Sequence, residues 1–325
     1  MELTENLEPV FIFASILLGL LLNNVEVINN ISPSLITIFL VMMLFALFMD
    51  IPVGKIGESF SNTKFTATSL IINFMWTPLL GYFLASLLLK GNLDMRIGFL
   101  MLILTPCTDW YLIFTKMAKG NLALSMSLLP INLVLQIILL PIYLLIFFSS
   151  TNTLEIANLA YSLIVFIVLP FIMAQFVKIL LKGRSSLEKI TSVFSRCQTL
   201  FLCVAIFALF NRESSVLIEN VDKIEVIFIP VLLFFVINCV VDYIISMRLN
   251  FRYEDYVSLT FTTLARNSPL ALAIAVSSFP KNELIAITLV IGPLIELPVL
   301  YVVSKIALKF KKKYEGGMRY FEQAL

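Results

Sequence analysis

The stretch LTPCTDWYLIF, Leu104–Phe114, lies in an apolar run, yet it sets a proline, a thiol and a carboxylate almost side by side. A helix in hydrocarbon has no water to satisfy freed backbone groups. An interruption there is tolerated only where protein or an aqueous cavity surrounds it. The same grammar returns further on. Thr105-Pro106 is matched by Ser268-Pro269 in LARNSPLALAIAV, 163 residues later. Pro130 in LLPINL and Pro293 in IGPLIEL share that spacing, which is half the chain. A five-span unit repeated once must be inverted, because five is odd. Inverted repeats with interrupted helices at matching positions point to a secondary transporter with its site near the membrane midplane.

Composition supports a membrane setting. The 325 residues are 60% hydrophobic and 14% charged, with 28 phenylalanines, where a soluble domain is about one quarter charged. Apolar runs long enough to cross a bilayer recur throughout, and they are continuous rather than alternating, which argues against a transmembrane barrel. Ten spans are expected, near 8–24, 34–50, 67–89, 95–115, 121–149, 155–181, 193–210, 225–246, 256–279 and 283–308. With the N-terminus inside, 17 of the 23 Lys and Arg fall on the inner side and 5 on the outer side. Arg266 remains within span nine. This bias places both termini in the cytoplasm. The basic tail KFKKKYEGGMR reads as a segment at the membrane surface. Without a Pro/Gly/Ser linker, the chain reads as one transporter domain over 1–325, with repeat one about 1–150 and repeat two about 151–325. The first span has Glu2, Glu5 and Glu8 where a signal peptide would be basic, so it is expected to stay attached.

The candidate site follows from the breaks. A hydroxyl residue before a proline reads as a helix N-cap with Pro at the first helical position. Each restarted half-helix would then aim its electropositive end at the membrane centre. Cys107, Thr108 and Asp109 follow Pro106, Arg266 and Asn267 precede Ser268, Asn132 follows Pro130, and Glu296 follows Pro293. Ionisable groups at such depth usually mark a pathway. Substrate-binding candidates are therefore Cys107, Thr108, Asp109, Asn132, Asn267 and Ser268. Glu296 and Arg266 are candidates for coupling and charge, and Thr105, Pro106, Pro269 and Pro293 for the breaks.

Plainer roles stand beside these. Asp109 can cap free N–H groups at a helix start, and Cys107 can serve as a small buried hydrophobe. Arg266 can be a structural cation paired with Glu296 or Asp109. Glu296 can be half of that pair, or a proton carrier. Asp242, near Arg248 and Arg252, reads as an inner-rim charge, and Asn73 and Trp76 as wall residues. Cys197, Cys203 and Cys239 read as packing. No cysteine pair has CxxC spacing and the chain has no histidine, so an HExxH metalloprotease is excluded. An intramembrane enzyme would need an Asp109–Asp242 dyad. No cofactor and no nucleic-acid partner are expected.

PCTDWYLIFTKMAKGN with LLPINL, LARNSPLALAIAV and GPLIELPVL resembles the arsenical-resistance permease branch of the bile acid:sodium symporter superfamily, over essentially all ten spans. The resemblance implies an all-α fold of two inverted five-helix repeats, with a panel domain, a core domain, and crossed, discontinuous helices four and nine. It implies efflux of arsenite or antimonite across the plasma membrane, driven by protons, with the family's essential cysteine at Cys107, touching the transported metalloid rather than a structural metal, and its tenth-helix acidic residue at Glu296. Two stretches depart from the usual permease wording: CTDW stands for CTAM and ARNSPLALA for ARNNFELA. A carrier of organic anions on the same fold, coupled to sodium or protons, is the alternative, with Arg266 holding a carboxylate. Oligomeric state is not legible.

Overall fold

The structure, a computed structural model, describes residues 2–23, 25–50, 62–107, 110–148, 161–162, 164–182, 185–214 and 225–324. The regular elements among these residues are all helices, and the only β contact among them is an isolated antiparallel bridge between Pro106 and Arg266. Among the described residues, six helices are long and apolar enough to cross a membrane on their own: Glu26–Met49, Thr63–Leu88, Leu122–Phe148, Ser186–Arg212, Phe228–Arg248 and Glu283–Lys311. Val10–Leu21, Ile164–Leu180 and Ser268–Ser278 are shorter apolar helices. Large apolar side chains such as Phe13, Leu79, Ile146, Phe176 and Val236 lie on the outside. A protein that turned them to water would lose the hydrophobic drive to fold, whereas lipid accepts them at no cost. The chain is a multi-pass membrane protein.

It forms two compact units, each assembled from separate segments. One contains residues 1–51, 145–225 and 269–294; the other contains 52–144, 226–268 and 295–325. In the first unit, α1 (Glu2–Leu21) and α2 (Glu26–Asp50) pack against the 28-residue α9 (Ser185–Arg212). A π-helical turn, Ile164–Val168, leads into α8 (Leu169–Leu180), which packs on α2. Phe45 meets Phe194 edge-on at 5.0 Å, and Asn211 Nδ2 donates to the carbonyl of Leu22 at 2.8 Å. At Gly19 the helices nearly touch: a Cβ there would lie 2.5 Å from the backbone oxygen of Phe207. A backbone atom cannot rotate away, so Gly19→Ala forces α1 off α9. We expect a loss of about 1–3 kcal/mol, read as a lower midpoint of thermal unfolding in detergent.

The second unit carries the interrupted helices. Its α3 (Thr63–Ile71) runs through a π-helical turn, Ile72–Trp76, into α4 (Thr77–Leu88). Such turns insert a residue and rotate side chains off the regular face. The Tyr143 hydroxyl takes up the Phe74 carbonyl within this turn, and Asn73 becomes fully buried. Then come α5 (Leu93–Ile103), α6 (Trp110–Met117) and α7 (Leu122–Phe148), whose last residues pass into the first unit. From the second half come α10 (Phe228–Arg248) and α11 (Tyr253–Leu264). α12 (Ser268–Ser278) starts here and continues into the first unit, and α13 (Glu283–Ala324) contributes from Ile295 onward. Phe65, Ile72, Leu128, Phe251 and Leu259 form a buried cluster among these helices. The start of α7 is tied to the start of α11. Asn121 donates its backbone N–H to the Glu254 carbonyl at 2.9 Å and its side-chain Nδ2 to Asp255 Oδ1 at 2.9 Å.

One expectation fails here. Pro293 does not interrupt its helix: α13 runs unbroken from Glu283 to Ala324, and Pro130 likewise lies inside a continuous α7. A proline removes one N–H and kinks a helix, and these helices continue past that loss. Among the described residues, the interruptions bonded to each other lie between α5 and α6 and between α11 and α12.

Candidate functional site

The two interruptions lie in one place. α5 stops at Ile103, with Leu104 still in the helical region, and α11 stops at Leu264, where Ala265 turns extended. The freed segments run antiparallel and repair each other. The Cys107 N–H donates to the Ala265 carbonyl at 2.9 Å, and the Asn267 N–H donates to the Thr105 carbonyl at 2.6 Å. This two-bond bridge meets the requirement that buried backbone be satisfied where helix is absent.

Thr105 was expected to cap the restarted helix. It instead finishes the preceding one. Its Oγ1 lies 3.2 Å from the Met101 carbonyl and 3.1 Å from that of Leu102, with the Asn267 carbonyl at 3.2 Å across the bridge. The described part of α6 begins at Trp110, and a side-chain cap comes from Cys107, whose Sγ accepts the Trp110 N–H at 3.3 Å. The thiol is therefore held, buried, at the positive end of a half-helix, and takes part in no disulfide. Thr108 and Asp109 lie outside the described residues. At the second break α12 opens on Ser268-Pro269, but the Ser268 hydroxyl makes no capping hydrogen bond.

Arg266 is the organising residue. Its side chain is 2% exposed. Nη1 donates to the Ile103 carbonyl at 2.8 Å, Nε to that of Leu264 at 3.2 Å, and Nη2 to Asn73 Oδ1 at 3.3 Å. The guanidinium stands 4.9 Å from the Phe234 ring centroid. One cation thus satisfies the last carbonyls of two helices at once, where each helix dipole is negative. Asn73 is locked by its own Nδ2, which donates to the Thr262 carbonyl at 3.1 Å. The backbone N–H of Arg266 donates to Glu296 Oε1 at 2.8 Å. Arg266 was expected to pair as an ion with Glu296 or Asp109. Among the described residues its guanidinium is spent on carbonyls and an amide, and Glu296 is held through the main chain.

Asn132, in α7, is buried and neither its amide nitrogen nor its oxygen has a partner; the same is true of Gln136 one turn on. These two residues share a helix face and offer both donors and acceptors. The Ser268 hydroxyl is also buried without a partner. Asn267 is buried beside the bridge. Among the described residues, no group of three His, Cys, Asp or Glu could hold a metal.

Asp242 is the largest correction. Instead of lying at the inner rim it is fully buried, with Oδ2 accepting from the Thr263 hydroxyl at 2.6 Å and Oδ1 unpartnered. Its i−4 neighbour Asn238, also buried, accepts the Trp76 indole N–H at 2.9 Å. The i, i+4 spacing of Asn238 and Asp242 signals a polar inner face of α10, and Gln136 shows the same spacing from Asn132.

A membrane protein of many helices, with two broken helices bonded through their gaps around buried charges, is a transporter rather than an enzyme. The sodium/bile acid symporter family profile matches residues 37–220, and the chain belongs to that family. It is 26% identical over 279 residues to the arsenical-resistance protein Acr3 of Corynebacterium glutamicum, covering 82% of this chain and 75% of that protein. It is 20% identical over 289 residues to Acr3 of Alkaliphilus metalliredigens, covering 84% and 80%. It is also 22% identical over 298 residues to the transporter slr0944 of Synechocystis, covering 84% and 78%.

Proposed function

We propose that the protein exports arsenite, or the similar antimonite, across the plasma membrane against an inward proton gradient. Ten spans with both termini cytoplasmic, arranged as two inverted repeats, complete the reading. The observation that carries it is Cys107: a single thiol, buried in the membrane at the bridge between two broken helices. Trivalent arsenic is a soft centre that bonds sulfur in preference to oxygen. One thiol holds such a ligand reversibly; three converging thiols would trap it. The names of two relatives agree. Asn132, Gln136, Asn267 and Ser268 supply donors and acceptors for the hydroxyls of the uncharged acid. Glu296 carries the proton, because a carboxyl group this deep in hydrocarbon is costly to ionise.

The organic-anion reading requires Arg266 to bind a carboxylate. The contacts to Ile103, Leu264 and Asn73 take three of its five N–H donors, which favours a structural role for this cation over substrate binding. The test is arsenite retention in cells stripped of their own arsenic exporters. Cells with the parent chain should hold several-fold less arsenite than empty cells, and cells with Cys107→Ser should resemble empty ones. If well-expressed parent protein leaves retention unchanged, the arsenic assignment fails and the family assignment stands.

A further inference from the structure

Among the described residues of the second unit, one buried cation, Arg266, and two buried carboxyl groups, Glu296 and Asp242, stand together; the Cys107 thiol also faces Arg266 and is uncharged while it keeps its proton. Arg266 interacts electrostatically with both carboxylates. Each carboxylate meets one hydrogen-bond donor, the Arg266 N–H at Glu296 Oε1 and the Thr263 hydroxyl at Asp242 Oδ2. Both donors are on one stretch of chain, three residues apart at the end of α11. The other titratable groups facing Asp242 are Cys239 on its own helix and Tyr256 on α11; neither is a cation. Guanidinium stays protonated in proteins, so the trio holds one fixed positive charge and two potential negative ones. An uncompensated buried charge in a medium of low dielectric costs several kcal/mol after relaxation. The trio is neutral only when one carboxylate, and one alone, carries a proton.

We infer that Asp242 is a second proton site of this protein, and that it and Glu296 share a single exchangeable proton across Arg266. Proton entry converts one carboxylate to the acid; transfer along the set moves that proton to the other carboxylate, with the total charge of the trio unchanged. The inference rests on the proposed proton coupling for its place in transport, and its test does not need the substrate.

The test is infrared difference spectroscopy of the full chain in lipid at neutral pH, read in the carbonyl stretch of protonated carboxylic acids. Asp242→Asn and Glu296→Gln each keep an acceptor oxygen for the existing donor, so both should fold. Removing either carboxylate leaves one cation and one anion, which needs no proton. The parent should therefore show a protonated-acid band that is lost in Asp242→Asn and equally lost in Glu296→Gln. Two independent acids would behave differently: each substitution would remove only its own band, and that result overturns the inference. A spectrum with no protonated acid assignable to Asp242 or Glu296 overturns it as well. In proteoliposomes, Asp242→Asn should also lose pH-gradient-driven accumulation while keeping downhill flux. If the spectra behave as expected and no arsenite moves in any variant, the fault lies in the substrate assignment and the shared proton stands.

Discussion

Arg266→Met should be the most destabilising single change in the second unit. The substitution keeps much of the side-chain bulk but strips the Ile103 and Leu264 carbonyls and the Asn73 amide of their donor. Hydrogen bonds from a charged group are worth about 1.5–3 kcal/mol each, and acceptors stranded in a buried site incur their desolvation cost as well. The expected loss is on the order of 4 kcal/mol, enough to abolish a stable detergent-solubilised protein. Arg266→Lys should be nearly as damaging, because one ammonium cannot span two helix ends and an amide in the fixed geometry of a guanidinium. The measurement is the yield and thermal midpoint of monodisperse protein after solubilisation. A midpoint for Arg266→Lys within a degree or two of the parent would mean that the carbonyl contacts contribute little.

Glu296 should separate fold from function. Glu296→Gln retains an oxygen for the Arg266 N–H and loses the exchangeable proton. We expect near-parental stability with concentrative transport reduced to the level of empty membranes. Glu296→Ala leaves that N–H buried and unpaired, at a cost of about 1–3 kcal/mol, so it should lose stability as well as transport. Equal unfolding midpoints for the two variants, measured side by side, would show that the main-chain bond is not what Glu296 contributes to the fold.

Much of this was written in the sequence, and what was hidden had physical causes. The breaks at Thr105-Pro106 and Ser268-Pro269 were legible because proline and hydroxyl residues within apolar runs have few uses. That Cys107 rather than Thr105 caps the restarted helix was not legible. Thr105 is drawn back to the Met101 and Leu102 carbonyls, and the cap passes to a sulfur, a choice made by tertiary neighbours rather than local preference. Pro293 reads like Pro106, yet α13 stays continuous; a proline marks a lost hydrogen bond and does not say whether the helix survives it. Asp242 was taken for a rim charge because Arg248 lies one and a half turns away in the same helix. Its depth depends on Thr263 in another helix. Arg266 stood out at once as a buried cation, but its real partners are carbonyl groups, which every residue has and no motif can display.

The central claim is that arsenite passes the crossing of the broken helices by way of Cys107. Its most direct test is arsenite accumulation in everted membrane vesicles, driven by an imposed proton gradient, with parent and Cys107→Ser protein at equal abundance. The parent should accumulate arsenite, a protonophore should abolish the accumulation, and Cys107→Ser should match empty vesicles. Equal accumulation by Cys107→Ser and the parent would contradict the claim.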